Sequence, residues 1–585
     1  MNMKFILVSL NAKFIHSNLA IRSIQKYTQL HTGIMPEIRE YTINQPEELI
    51  LRELFEEHPD IVGFSCYIWN IDMILRLVVQ LKQVAPDITI VLGGPEVSYN
   101  SKELLESYPV DMVIRGEGEK TFAELVQALQ NKVSLNSVKG LTWKIGSQLV
   151  ENPPQPPLRL DDIPFVYDDE RMAQFQNRII YYESSRGCPY QCAYCLSSIE
   201  KGVRLLSEQR VEQDLQFFLD HRVKQVKFVD RSFNCNKHHA LHIWKYVAEH
   251  DNGITNFHCE INGDTLDEES ISFLQTARKG LFQFEIGIQT TNEKTLKEIH
   301  RKNNFDRISQ VVAALQKNKN IHLHLDLIAG LPHEDYHSFG KSFNDVYALH
   351  PDQFQLGFLK LLKGSDLERR QKELGITCRK TAPYEVLFTR WLPFERTLQL
   401  KMIEEMVEQY YNSNRFKACI RYLETLFPTP FSLYENLAGF YQKKGYHKVS
   451  HTKEQAYTIL YEFLMELPKG NLEYFQWLAK FDLYSHEKAK KIPSWIPNDL
   501  TTEQKQPIYQ FYNQPENIKT YLPDYQNLNG LQIYRMAHLE KFPFHPLTGQ
   551  QQECYLLFNY RQTDLLGNAL VIELPVEQIE TEMEN

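Results

Sequence analysis

Three cysteines within eight residues constrain this chain more than any other feature. Cys188, Cys192 and Cys195 stand in R-G-C-P-Y-Q-C-A-Y-C (186–195), directly after the strand-like run I-I-Y-Y-E-S-S. Structural zinc sites take four ligands, usually as two spaced pairs, and a 4Fe-4S cluster is normally held by four cysteines. Three thiols without a fourth donor nearby favour an iron–sulfur cluster with one open iron. A zinc site and a redox role are the alternatives.

The other cysteines and the apolar runs describe the setting of that site. The remaining six of the nine cysteines are scattered over 585 residues, which is too sparse for a disulfide scaffold and favours a reducing compartment. Apolar runs such as 5–10 and 569–574 fall far short of the ~20 residues that cross a bilayer. The first of them is also too short for a secretory signal. We therefore expect a cytoplasmic protein with no membrane partner.

Composition and charge limit the kind of protein further. With 43% apolar and 24% charged residues the chain is globular, and its length predicts about three or four domains. The net charge of −10 disfavours a general nucleic-acid-binding surface. Basic stretches at 442–448 and 486–491 are interpreted as solvated helix faces, with a patch for an acidic or RNA partner as the alternative.

Residues 1–150 alternate short apolar runs with amphipathic stretches. Such alternation predicts a doubly wound, Rossmann-like parallel sheet with helices on both faces. Ligands of such sheets bind at the carboxyl ends of the strands. The predicted ends carry the segments Asn11–Asn18, Ser65–Asn70, Gly93–Ser98 and Arg115–Glu119.

The rest of the chain divides at a proline-rich linker, residues 151–170. Between 171 and 370 six strand candidates alternate with helical patterns, which predicts a partial (β/α)6 barrel of the TIM type. Residues 371–585 are predicted to be mainly helical and to end in a β-hairpin, 554–560 with 568–574. The six candidates are 179–184, 225–230, 257–261, 282–289, 322–328 and 353–360.

The cysteine spacing Cys-x3-Cys-x2-Cys, with Tyr194 before the last cysteine, resembles the signature of the radical S-adenosylmethionine (SAM) superfamily. Three later segments are similar to motifs of the same family in the expected order: K-F-V-D-R-S-F-N (227–234), F-E-I-G-I-Q-T (284–290) and D-L-I-A-G-L-P (326–332). The resemblance implies that a 4Fe-4S cluster on the three cysteines cleaves SAM reductively. It implies SAM contacts by five residues: Tyr194, Asp230, Glu285, Gln289 and Gly330.

The first 150 residues resemble the cobalamin-binding domain that precedes the catalytic core in one radical SAM subclass. The resemblance rests on L-G-G-P-E-V-S (92–98) and V-I-R-G-E-G-E (113–119), and glycines there let backbone approach a bulky ligand. His16 lacks the Asp-x-His-x-x-Gly context of a cobalt-ligating histidine, so we expect it not to bind cobalt. The implied cobalamin contacts are Ser65, Gly93, Gly94, Gly116 and Glu117.

Together these resemblances imply a cobalamin-dependent radical SAM enzyme that methylates an unactivated carbon of an unknown substrate. A flavodoxin or ferredoxin would be the electron donor. One alternative is a radical SAM enzyme with a vestigial cobalamin domain, acting on RNA or a small metabolite. Another is a non-enzymatic iron–sulfur or corrinoid sensor, which the intact SAM motifs disfavour. The catalytic residues that act on the substrate are not predicted.

Overall fold

The computed structural model describes residues 3–146, 148–199, 202–498 and 502–580. The chain forms two compact units. The first contains residues 1–336 and 357–394, and the second contains residues 337–356 and 395–585. The predicted domain limits at 150, 170 and 370 stay predictions, and the predicted C-terminal domain includes 499–501 and 581–585, which lie outside the described residues.

The first unit begins with a seven-stranded sheet of order β2-β1-β3-β4-β5-β6-β7. The first five strands are parallel, and β6 and β7 add an antiparallel hairpin that the sequence analysis did not predict. Its strands are β1 (Phe5–Asn11), β2 (Glu37–Thr42), β3 (Ile61–Ser65), β4 (Thr89–Gly93), β5 (Met112–Ile114), β6 (Leu141–Ile145) and β7 (Gln148–Glu151). Its helices are α1 (Leu19–Thr32), α2 (Glu47–Glu56), α3 (Ile71–Val84), α4 (Ser101–Ser107) and α5 (Gly118–Gln130).

This sheet is doubly wound, as predicted. Every residue of β1 is buried, because apolar cores lie on both faces of the sheet. The Asn18 side chain caps α1 by accepting a hydrogen bond from the Ile21 amide, and Gly33 ends that helix in the left-handed conformation. The strand order reverses between β1 and β3. In sheets of this order a ligand binds at that reversal, outside the carboxyl ends of the strands.

A second, six-stranded sheet has the order β15-β14-β13-β12-β11-β8 and leaves β15 and β8 as edges. Its consecutive strands match the six predicted ones, which confirms the partial barrel. They are β8 (Ile180–Tyr182), β11 (Gln225–Phe228), β12 (Asn256–Ile261), β13 (Phe282–Gln289), β14 (His322–Ala329) and β15 (Gln353–Phe358). Short strands β9 (Ser185–Cys188), β10 (Gly202–Leu205), β16 (Thr377–Cys378) and β17 (Val386–Phe388) pair in two further hairpins.

The two faces of the second sheet differ in chemistry. Along β13 buried and half-buried residues alternate, and Phe284 on the buried face packs against Trp244 with ring centroids 5.6 Å apart. The opposite face carries Glu285 and other polar side chains, and we call it the inner face. The helices of this part of the chain, in sequence order, are α6 (Glu208–Asp220), α7 (Lys237–Glu249), α8 (Glu268–Thr276), α9 (Glu293–Glu298), α10 (Phe305–Gln316), α11 (Tyr336–Tyr347) and α12 (Asp366–Leu374).

The chain beyond these elements is mainly helical and ends in an antiparallel sheet of order β18-β19-β20. The predicted hairpin is confirmed as β19 with β20. Strand β18 was missed because its buried Glu540, which pairs with Lys480 at 2.9 Å, breaks the apolar pattern. The elements are α13 (Phe394–Val407), α14 (Lys417–Glu424), α15 (Pro430–Lys444), α16 (Lys453–Met465), α17 (Leu472–His486), α18 (Thr502–Asn513), α19 (Pro515–Tyr521), α20 (Gly530–Met536), β18 (His538–Phe542), β19 (Cys554–Thr563), β20 (Ala569–Leu574) and α21 (Val576–Glu580).

Among the described residues, no helix is both long and apolar enough to span a bilayer.

Candidate functional site

The cysteine loop begins where β9 ends, at Cys188. Cys192 is 8% exposed, the other two cysteines are half-buried, and all three are free thiols. Backbone hydrogen bonds from Ala193 to Ile299 and from Leu367 to Ala193, both 2.9 Å, fix the loop. Burial raises the pKa of the Cys188 thiol, so a thiolate there needs a cation to stabilise it. This donor set fits a cluster held by three cysteines.

A cation beside the loop was missed by the sequence analysis. The guanidinium of Arg301 lies 3.8 Å from the Cys192 sulfur and donates a 3.0 Å hydrogen bond to the Tyr194 hydroxyl. A second donor bonds the Gly287 carbonyl on β13. Within the described ranges Arg301 forms no ion pair with a carboxylate. It therefore presents a half-buried positive charge, available to an anion, between the cysteine loop and the strand ends.

Gln289 and Gly330 lie near the carboxyl ends of neighbouring strands. Gln289 takes a left-handed backbone conformation (φ +72°) at a bulge in β13. Its side-chain oxygen is buried, and within the described residues it has no hydrogen-bond partner. Such an orphaned acceptor fits a ligand that supplies a hydroxyl. Gly330 has a different reason to be glycine, since a Cβ there would lie 2.7 Å from Val386.

Asp230 is fully buried and contacts the residues that precede the cysteine loop. Its carboxylate accepts hydrogen bonds from the Ser184 amide (2.9 Å) and from the hydroxyls of Ser184 and Ser185 (2.6 Å each). Burial raises its pKa to about 6, although these hydrogen bonds oppose the shift. These contacts support a role in holding the strand that precedes the cysteines, and the predicted contact with SAM stays a prediction.

The raised pKa of Asp230 predicts a dependence of stability on pH. Because the folded-state value of about 6 exceeds the ordinary value of 3.8, the folded chain binds the proton more tightly than the unfolded chain. The stabilisation is present below about pH 4 and is lost as pH rises through about 6, a loss of about 3 kcal/mol. An Asp230→Asn variant should therefore gain stability relative to the wild type as pH rises. Melting temperatures of both proteins between pH 4.5 and 7.5 check this, and a constant difference would contradict it.

Glu285 lies deeper on the inner face than Gln289. Its Oε2 is 3.4 Å from the Lys227 amine and 3.2 Å from His258 Nε2. Burial alone would raise its pKa, but His258, Lys227 and His324 together lower it below the ordinary value. The carboxylate is thus ionised and lies beside the Lys227 amine and the His258 imidazole of neighbouring strands. The sequence predicted Glu285 as a SAM contact, and that role stays a prediction.

The predicted cobalamin residues meet at the carboxyl edge of the first sheet. Ser65, Gly93 and Ile114 are register neighbours on β3, β4 and β5. Among the described residues, a Cβ on Gly93 would contact only Ile114, at 3.8 Å, and a Cβ on Gly116 would have no atom within 4 Å. Both positions therefore border open space. Gly94 differs, because its backbone (φ +114°) lies against Cys66 and a Cβ would be 2.5 Å from that carbonyl oxygen.

Exposed aromatic side chains surround the same edge. Trp69 follows β3 and is 44% exposed while stacking on Tyr67 at 4.5 Å, and Tyr99 after β4 is also 44% exposed. Phe14 after β1 is 68% exposed. Large apolar surface next to open backbone fits a flat macrocycle such as a corrin. Sequence reasoning missed these residues, although all three stand in or beside the loops it singled out.

Charged side chains join this edge to the hairpin of β9 and β10, which carries Cys188 and which we call the cysteine hairpin. Arg186, two residues before Cys188, lies 2.9 Å from Glu119 and 3.4 Å from Glu117. Glu117 also pairs with Arg204 on β10. Its carboxylate is therefore engaged by two guanidinium groups, and its predicted contact with cobalamin stays a prediction. Glu117 before α5, Glu119 in its first turn and the two arginines of the cysteine hairpin form one ion-pair network.

His16 belongs to the loop after β1. Its Nδ1 lies 2.7 Å from the Tyr181 hydroxyl on β8, at hydrogen-bond distance. Burial lowers its pKa, and the nearby Lys13 and Lys227 lower it further, so the ring is neutral. This contact provides His16 with a protein partner and supports the expectation that it does not bind cobalt.

Comparison with known families places three matches along the chain. The B12 binding domain matches residues 6–126, and the Radical SAM superfamily matches residues 182–346. A protein family of unknown function, DUF4080, matches residues 372–558. The B12 binding match contains the predicted cobalamin contacts, and the Radical SAM match contains the three cysteines and the predicted SAM contacts.

Two curated relatives and one solved structure are similar to this chain. Cobalamin-dependent radical SAM methyltransferase TokK of Streptomyces tokunonensis is 29% identical over 313 residues, 48% of this chain and 44% of the relative. Uncharacterized methyltransferase PH0819 of Pyrococcus horikoshii is 32% identical over 194 residues, 32% of this chain and 42% of the relative. The chain thus spans less than half the length of either. The radical enzyme OxsB, solved with aqua-cobalamin and SAM, shares the fold with a TM-score of 0.57 and 16% identity, over 82% of this chain and 79% of that one.

Proposed function

Since this chain is a radical SAM protein with an N-terminal B12-binding domain, as its sequence predicted, we propose that it is a cobalamin-dependent radical SAM methyltransferase. The observation that supports this most directly is the ion-pair network of Arg186, Glu117, Glu119 and Arg204, which joins the cysteine hairpin to the edge of the B12-binding sheet. Two cofactor sites joined in this way fit a reaction that needs both cofactors close together. We propose an unactivated carbon as the methyl acceptor.

The radical SAM match implies a 4Fe-4S cluster and SAM, and the B12-binding match implies cobalamin. When bound, the cluster supplies the electron that cleaves SAM, and cobalamin supplies the methyl carrier. We propose that Cys188, Cys192 and Cys195 hold the cluster. The protein's task is to bind, orient and shield these groups.

We assign the binding of SAM to side chains beside the cysteine loop. Arg301 offers a guanidinium for the carboxylate of SAM, because it lies 3.8 Å from the Cys192 sulfur and has no acidic partner among the described residues. The orphaned oxygen of Gln289 suits a ribose hydroxyl. Tyr194 is positioned by its hydrogen bond from Arg301.

Replacing Arg301 should weaken SAM binding more than replacing Glu285. Arg301→Ala removes a charged donor, which corresponds to about 1.5–3 kcal/mol, or roughly tenfold or more in Kd. Glu285→Gln should have a smaller effect, because that carboxylate already lies close to Lys227 and His258. Equilibrium binding of SAM to the reconstituted protein measures both. Arg307→Ala is the control, since Arg307 pairs with the exposed Glu268. Equal affinity of wild type and Arg301→Ala would remove Arg301 from the site.

We assign cobalamin to the carboxyl edge of the first sheet, next to Ser65, Gly93 and Gly116. The open space beside both glycines and the exposed Trp69 and Tyr99 support this assignment. Ser65 accepts a hydrogen bond from the Asn18 side chain at 3.3 Å and so connects the loops on either side of the strand-order reversal. Neither a vestigial B12-binding domain nor a sensor is favoured, since both the B12 binding domain and the Radical SAM superfamily match the chain.

The proposed activity has a direct test. Reduced, reconstituted protein supplied with SAM and hydroxocobalamin should form 5′-deoxyadenosine and, as the sign of methyl transfer, S-adenosylhomocysteine. A radical SAM enzyme needs a reductant, and we propose a flavodoxin or ferredoxin as its source. If 5′-deoxyadenosine forms but no S-adenosylhomocysteine forms when candidate acceptors are present, the protein is a radical SAM enzyme that does not transfer a methyl group.

A further inference from the structure

The inner face of the second sheet carries a cluster of metal-ligating side chains outside the cysteine loop. Glu285 on β13 is the register neighbour of His324 on β14, and Asp326 stands two residues further along β14 on the same face. One donor atom from each of the three lies within 4.8 Å of the other two. Parallel strands have therefore brought an imidazole and two carboxylates to one point.

Two of these donors are in direct contact. His324 Nε2 lies 2.9 Å from Asp326 Oδ1, and the two side chains form an ion pair when the imidazole is protonated. His324 is only 6% exposed, so water has little access to this contact. Two ligands that each lie about 2.1 Å from one metal ion are about 2.9–3.4 Å apart. The separation seen here matches adjacent ligands of a single ion.

The surroundings orient the third donor. Lys227 and His258 approach Oε2 of Glu285, at 3.4 and 3.2 Å, and they hold that carboxylate in place. Ligating carboxylates are commonly fixed by such contacts, which leave the other oxygen to bind the ion. Glu260, the register neighbour of Glu285 on β12, is a third carboxylate of the inner face, and Lys227 and Arg231 are the cations that act on it.

We propose that Glu285, His324 and Asp326 form a binding site for one divalent transition-metal ion, distinct from the cysteine loop. One imidazole and two carboxylates suit Mn²⁺, Fe²⁺ or Zn²⁺ better than they suit a soft ion. With a neutral histidine the two carboxylates balance the charge of the ion. The site lies on the inner face below the strand end that carries Gln289, and it leaves coordination positions open for a polar group of a bound molecule. This inference does not depend on methyl transfer.

Mn²⁺ is the suitable probe, because it has little affinity for thiolates and its free ion gives an electron paramagnetic resonance signal that is lost on binding. Titration of Mn²⁺ into the full-length, cluster-reconstituted protein in its oxidised state should reveal one site per chain. Asp326→Asn and His324→Gln should each weaken binding at least tenfold. The matched control is His322→Gln, on the same strand two residues before His324, and it should bind as the wild type does.

Melting temperature and cluster absorption show whether each variant is folded, and SAM binding is measured in parallel. Loss of Mn²⁺ binding in folded Asp326→Asn with SAM binding retained supports the site. Folded wild type that binds neither Mn²⁺ nor Zn²⁺ overturns it. Wild-type Mn²⁺ affinity in both Asp326→Asn and His324→Gln also overturns it. Failure of methyl transfer with intact Mn²⁺ binding would instead count against the proposed activity alone.

Discussion

Replacement of Cys188, Cys192 and Cys195 together by alanine is expected to abolish iron binding and all cleavage of SAM. The wild type reconstituted without oxygen should hold about four irons per chain and absorb visible light, because sulfur-to-iron charge transfer requires the thiolates. The loop itself should persist, since backbone hydrogen bonds at Ala193 fix it without the sulfur atoms. Iron content, visible absorption and 5′-deoxyadenosine formation are the measurements.

Cys378→Ala is the matched control for this change. Cys378 is also half-buried and free, but it lies on β16, in another hairpin. It should keep the iron content and absorption of the wild type. If the triple variant retained about four irons, or if the wild type reconstituted in this way held only zinc, the assignment of the cluster to these cysteines would be wrong.

Gly93, the last residue of β4, and Gly94, the residue after it, should respond differently to substitution by valine. Gly94→Val places a branched side chain on left-handed backbone, with its Cβ 2.5 Å from the Cys66 carbonyl oxygen. Backbone strain and steric overlap together cost about 2–6 kcal/mol, so the melting temperature should fall sharply. Gly93→Val has ordinary contact with Ile114 and should melt near the wild type, but its side chain extends into the space assigned to the corrin.

Hydroxocobalamin binding, measured beside the melting temperature, separates these effects. We expect Gly93→Val to bind at least tenfold more weakly while remaining folded, whereas His16→Ala should bind as the wild type does. Wild-type affinity in Gly93→Val would show that the corrin does not lie next to this strand end. If the folded wild type binds no cobalamin, the methyltransferase assignment falls, and a radical SAM enzyme with a vestigial domain takes its place.

Much of the architecture followed from local patterns. Strand β13 was predicted with the same limits, 282–289, because apolar and polar residues alternate along it. The cysteine loop was recognised from spacing alone. In both cases the signal lies within about ten consecutive residues, and the physical requirement, one buried face or three thiols around one cluster, is met within that segment.

The partners of those segments were decided by the tertiary structure. Arg301 is over a hundred residues from the Cys192 sulfur it approaches, and Arg186 is 67 residues from Glu119. Gly93 and Gly94 look alike in sequence, yet one borders open space and the other lies against Cys66. The sequence by itself determined the two folds and their order, because periodicity is local, and the three spaced thiols indicated the cluster. SAM and cobalamin followed from the resemblance of its motifs to a known family. Which charges meet, and which glycine is open, depends on the register and packing of distant strands, which no short segment specifies.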